Sequence, residues 1–153
     1  MPPWVKMGTV RFTREVDSSL LPGHFATLLR SVDARGVKLD NNQVEFKGGV
    51  FRLVHSWNVL NPFGFGTLKI DAQSLQICYR LNYGQFVLFA TALLALMSLF
   101  ILSSIGWRYL FILPVAWLWL VGGNLIIGIS RFEGFIGRAL LSAPKRRPEG
   151  LAR

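Results

Sequence analysis

Two histidines, one cysteine and eight carboxylates are the side chains from which any catalytic or metal-binding constellation would have to be drawn. Neither His24 nor His55 has an acid at the spacing of H-E-x-x-H, in which one helical turn sets two imidazoles beside a carboxylate. His24 is predicted in the first turn of a helix and His55 within a strand, both at surface or edge positions. Cys78 stands on the polar side of an alternating segment with no CxxC partner, so it reads as a small filler rather than an activated thiol. A lone cysteine allows no intramolecular disulfide and suits a reducing compartment. Gly64-Phe65-Gly66 lacks the third glycine and the strand-to-helix setting of a dinucleotide fingerprint, and reads as a turn. An enzymatic reading would need Glu15, Asp17, His24 or His55 to meet in a cleft. The expectation is a non-catalytic protein with no catalytic, cofactor-binding or metal-ligating residues and no cofactor.

The chain that must position these groups has 153 residues, 52% of them hydrophobic, and a mean hydropathy of +0.40. That average hides a division. Residues 1–84 hold ten Lys and Arg against six Asp and Glu, a globular mixture, whereas 86–130 hold Arg108 alone. The remainder, 131–153, carries six basic residues against Glu133 and Glu149, which brings the net charge to +9. Much of this excess adjoins the apolar region, where anionic headgroups are the nearest partner. Nucleic acid is not expected as a partner.

Residues 86–104 and 109–129 are uncharged runs of 19 and 21 residues, and at about 1.5 Å per residue each nearly matches a hydrocarbon core of roughly 30 Å. Helices buried in a soluble core normally keep a polar stripe for water, and neither run has one. With only 105–108 between them, the runs form an antiparallel transmembrane hairpin turned at Gly106, with Trp107, Arg108 and Tyr109 at headgroup level. Lys69, Arg80, Arg131, Arg138, Lys145, Arg146 and Arg147 oppose Arg108, so both termini are expected on the cytoplasmic side, with no cleaved signal peptide. Gly122, Gly123 and Asn124 mark either a seat for the first span, against Thr91 and Ala95, or a contact for a second copy or another membrane protein. Neither run contains an acid, a histidine or a lysine, the usual markers of proton and ion pathways, so transport by this chain alone is not expected.

Upstream, 9–16 alternates as a strand with Val10 and Phe12 buried. Leu21, Phe25, Leu28, Leu29 and Val32 repeat at helical spacing, with Pro22 in the first turn and Gly36 placed for a C-terminal cap. The period then becomes two, punctuated at Asn41-Asn42, Gly48-Gly49, 61–66 and 72–74. A Gly-Gly turn would pair 43–47 with 50–59. Leu68 and Ile70 mark a further strand, and Ile77, Tyr79 and Leu81 another, with Gln76, Cys78, Arg80 and Asn82 opposite. The fold class is an α+β N-terminal domain, one helix on a mainly antiparallel β meander, followed by an all-α transmembrane helical hairpin. Its divisions are 1–84, a cytoplasmic α+β domain of a size that folds alone; 85–130, the hairpin; and 131–153, a surface helix and basic tail. In the last of these Phe132, Phe135, Ile136, Ala139 and Leu140 form an apolar stripe suited to lying along the bilayer surface.

The stretch 46–83 running into an apolar helix resembles small bacterial membrane proteins of uncharacterised role, and no function is carried over from them. The expected location is a bacterial inner or plasma membrane. The expected role is an accessory or interaction domain anchored there, with the lipid bilayer, another membrane protein or a second copy as partner. The alternative is a module that binds a lipid or other apolar small molecule.

Overall fold

Alternation of apolar and polar residues builds the sheet, and two long apolar runs build the helices that follow it. The computed structural model describes residues 4–13, 15–48, 59–104 and 111–145. Five strands, β1 (Val5–Arg11), β2 (Arg35–Asp40), β3 (Gln43–Lys47), β4 (Phe65–Asp71) and β5 (Gln76–Asn82), form one antiparallel sheet in the order β1-β5-β4-β3-β2. Strands two to five are therefore a meander, and β1 closes its far side against β5. Val44, Phe46, Leu68, Ile70, Ile77, Tyr79 and Leu81 point to one face and are buried, while Lys38, Lys69, Cys78 and Arg80 stand on the exposed opposite face. The period of two read from β4 and β5 is thus the pleat of a half-buried sheet.

Helix α1 (Leu21–Ser31) has Pro22 in its opening turn and buries Leu21, Phe25 and Leu29. It ends in a Schellman arrangement: the Asp33 N–H donates to Arg30 O at 3.1 Å and the Ala34 N–H to Leu29 O at 2.9 Å. The left-handed residue that this turn requires is Asp33, at φ 65°, rather than the expected Gly36. Gly36 instead serves the irregular register at the start of β2.

Helix α2 (Gly84–Ser104) follows β5 after Tyr83 alone, and the Gly84 N–H donates to the Asn82 side-chain oxygen at 2.9 Å. A second helical rod comprises α3 (Ile112–Leu118), a π turn (Trp119–Gly123) and α4 (Asn124–Leu141), continuous over Ile112–Leu141. Pro114 is accommodated because it falls in the first turn of α3, before a backbone partner four residues back is needed. Both helices are long and apolar enough to cross a membrane, with mean hydropathies of 2.5 and 2.0 over their best windows.

Four sequence expectations change here. The first strand runs from Val5 to Arg11 rather than over 9–16, because β5 offers its edge as far as Asn82; Val16 makes only an isolated bridge to Lys145. Strand β3 has β2 on one side and β4 on the other, so the expected pairing with 50–59 has no free edge, and residues 50–58 themselves lie outside the described ones. Phe65 and Gly66, expected in a turn, belong to β4. The largest change concerns 131–141, whose apolar stripe does not lie along a surface: Phe132, Phe135, Ile136 and Ala139 enter the same core as Phe25, Phe46, Phe63 and Leu81. Two helices cover the sheet rather than one, and the core crosses the expected boundary at residue 84. The physical reason is area. The inner face of five strands is wider than α1 can cover, and α4 supplies the missing apolar surface.

Candidate functional site

Glycine opposite an aromatic residue shapes the place where α4 meets the sheet. Gly8 pairs with Tyr79 and Gly66 with Phe46. A Cβ on Gly8 would fall 2.2 Å from the Tyr79 hydroxyl, and one on Gly66 would fall 2.2 Å from the Phe46 ring. Each ring lies across its neighbouring strand where any other residue would block it. The recess so made receives Phe132, which is fully buried, with ring centroids 5.8 Å from Phe46, 6.0 Å from Phe63, 5.7 Å from Tyr79 and 6.2 Å from Phe135. The loop before β4 closes the same recess, with Phe63 buried and Pro62 against Gly128. The aromatics of 61–66 therefore divide: Phe63 is core, and Phe65 stands on the open face.

The Tyr79 hydroxyl crosses this junction to donate a hydrogen bond to Glu133. Burial, the hydrogen bond and the nearby carboxylate charge together raise the phenol above its ordinary value, burial most of all. On the open side, Asp71 accepts from the Gln73 and Ser74 N–H groups at 3.0 and 3.3 Å, closing the turn into β5. Hydrogen bonds from Ser74 and Gln73 hold its carboxyl below the usual range.

The described residues among those weighed for catalysis, Glu15, Asp17 and His24, take partners at one end of the domain. His24 projects from α1 to the end of α4, where Nε2 lies 3.0 Å from the Ala139 carbonyl and 3.2 Å from the Ser142 hydroxyl. A carbonyl only accepts, so Nε2 carries the proton and satisfies one of the orphan carbonyls of the last helical turn. Glu15 lies 4.0 Å from Lys145, both largely exposed, and Asp17 accepts from the Ser19 hydroxyl at 2.6 Å. His24, Asp17 and Glu15 thus share one end of the domain as ties between the α1 region and the segment after α4. Cys78 is exposed on the open face, and His55 lies outside the described residues. Among the described residues no group of three or more His, Cys, Asp or Glu is placed to hold a metal ion.

The helical pair touches over a short seam. Val87, Ala90 and Val121 are buried together, and Trp117 Nε1 donates to Thr91 Oγ1 at 3.0 Å. Contacts descend one helix as they climb the other, so the two run antiparallel. Gly122 and Gly123 do not seat α2 as one expectation had it: a Cβ at either would meet nothing within 4 Å, and Thr91 meets Trp117 instead. Asn124 donates to its own helix at Leu120 O, 2.6 Å away. Residues 105–110, where Gly106, Trp107, Arg108 and Tyr109 were expected to form and flank a turn, lie outside the described residues.

Compared with known proteins, the chain matches no family model, no curated protein and no solved structure. The junction was invisible to motif reading, because strand register brings Gly8 to Tyr79 and Gly66 to Phe46, and only the packing of α4 on the sheet adds Phe132 and Glu133. The available signal was the period of Phe132, Phe135, Ile136 and Ala139, which marks an apolar face without naming what covers it.

Proposed function

We propose that this chain is an integral membrane protein in which α2 and the first part of the second rod cross the bilayer as a hairpin and hold a non-catalytic α+β interaction domain at the cytoplasmic face of the plasma membrane. One observation carries the reading. Only 11% of the apolar window of each long helix is buried within the chain, and Leu88, Phe100, Trp119 and Ile126 on these helices are more than two-thirds exposed. A core helix of a soluble protein is mostly covered, and an apolar surface of this extent requires acyl chains or another protein around it. The excess of Lys and Arg at the domain end supports the cytoplasmic assignment. The role is that of an accessory protein that presents the domain to a partner, another membrane protein or a second copy reached through the second span. A pocket beneath the sheet for a lipid or apolar ligand is the less favoured reading, because Phe132, Phe135 and Ile136 fill that space.

Cys78 supplies a direct test, being the lone cysteine and exposed. The full chain should remain with membranes through alkaline extraction, and a membrane-impermeant maleimide should label Cys78 in inverted vesicles but not in right-side-out ones. Release into the aqueous phase overturns the membrane reading; the opposite labelling overturns the orientation. Co-purification from mild detergent tests the role, and a solitary monomer retaining neither protein nor lipid counts against it.

A further inference from the structure

We infer that the end of the sheet nearest the helical pair, formed by Trp4, Lys6, Arg35, Lys47 and Phe65, is a docking rim for anionic phospholipid headgroups. The inference rests on the membrane reading above and deepens it by naming the lipid and the residues. Its geometry starts from α4, which is continuous with the second span. Along α4, Gly128 meets Pro62, Phe132 meets Phe46 and Tyr79, and Ala139 meets His24; just past its end, Pro144 O accepts the Asp17 N–H. This helix therefore runs along the strands, from the end where β5 passes into α2 to the end where α1 begins. A span that crosses the bilayer and continues along the strands stands the sheet on end, with one row of residues facing the headgroups.

That row is fixed by register: Val5, Asn82, Phe65, Lys47 and Arg35 are successive cross-strand neighbours from β1 to β2. Asn82 is two residues, about 7 Å of strand, from the first residue of α2. Trp4 is bound to the same corner, its carbonyl accepting the Tyr83 N–H at 3.1 Å and its side chain beside Gly84. Trp4 is 45% exposed and Phe65 38%, and aromatic rings of this kind settle at the headgroup level with one side apolar and the other wet. Lys6, Arg35 and Lys47 are exposed around them. Among the described residues the acid at this end is Asp33, beside Arg30 in the turn out of α1; Glu45 stands two residues along β3 from Lys47, opposite Lys38 and accepting from the Gln43 side chain at 3.0 Å, whereas Asp40 and Asp71 close the far ends of β2 and β4 and Glu133 is engaged by Tyr79. Lys6, Arg35 and Lys47 beside two half-exposed aromatics at the bilayer end, with the strand-terminal Asp40 and Asp71 at the other, complement a negatively charged lipid surface.

The test uses the full chain in neutral detergent, with headgroup-labelled phosphatidylglycerol or phosphatidylcholine titrated in and binding read by fluorescence anisotropy. The wild type should prefer phosphatidylglycerol. Each cation near a lipid surface contributes about fivefold in affinity, equivalent to about 1 kcal/mol, so the combined Lys6→Gln, Arg35→Gln, Lys47→Gln variant should weaken that binding by up to roughly a hundredfold. The combined Lys38→Gln, Lys69→Gln, Arg80→Gln variant removes equal charge from the open face away from that row and should bind nearly as the wild type does. Near-ultraviolet circular dichroism confirms that both variants remain folded. Equal losses in the two variants, or an unchanged rim variant, overturn the inference. A chain soluble without detergent would sink the membrane reading instead, whereas one that needs detergent but shows no preference for phosphatidylglycerol sinks only the rim.

Discussion

Replacing Phe132 with alanine separates a helix that completes the domain core from one that lies along a bilayer surface. The ring is fully buried among Phe46, Phe63, Tyr79 and Phe135, with centroids 5.7 to 6.2 Å away. Truncating a buried phenylalanine costs about 3 to 5 kcal/mol, from lost apolar transfer and the cavity left behind. Taking ~4 kcal/mol against the 5 to 15 kcal/mol typical of a whole domain, the variant should lose a large part of its stability. Guanidinium unfolding in a mild non-ionic detergent, followed by near-ultraviolet circular dichroism, would read this as a fall of about 1 M in midpoint for a slope of ~4 kcal/mol/M. Ile127→Ala, on the same helix but half exposed, is the control and should barely move the domain transition. A Phe132→Ala shift under about 0.2 M, worth less than 1 kcal/mol on that slope, would refute the packing of α4 on the sheet.

Three other outcomes follow from the same junction. Gly8→Ala sets a methyl against the Tyr79 hydroxyl and should destabilise the domain by about 1 to 3 kcal/mol in the same unfolding assay. Tyr79 keeps its proton more tightly folded than unfolded, so the stability linked to it is complete below the ordinary phenol value of 10.0 and is lost as pH rises above it. In ultraviolet titration a tyrosine signal should therefore resist ionisation until the domain unfolds, and Tyr79→Phe should remove that contribution. A chain ended after residue 130 lacks the α4 contribution to the core, so its domain should be digested by a protease under conditions in which the full chain survives; equal survival would restore the boundary at residue 84.

What the sequence determined is local. Apolar residues recur every second position through β4 and β5, every third or fourth through α1, and in long uncharged runs through α2 and through the second rod as far as Ile129. Each of these periods is written in consecutive side chains, and each built a strand or a helix as its spacing implied, although the second apolar run continued through a π turn to Leu141. The hairpin at Asn41-Asn42 was equally legible, since turn chemistry depends on neighbouring residues. Tertiary structure decided what no local period encodes. Strand β1 could have begun at Thr9 on its own alternation, but the length of β5 carried it back to Val5. Pairing of Gln43–Lys47 with the next apolar segment was reasonable by proximity, yet β4 took that edge. The stripe of Phe132, Phe135 and Ile136 has the same amphipathic pattern whether it covers lipid or a sheet; the recess left by Gly8 and Gly66 across two other strands settled which. Amphipathicity states that a face must be buried, and only the assembled chain supplies the surface that buries it.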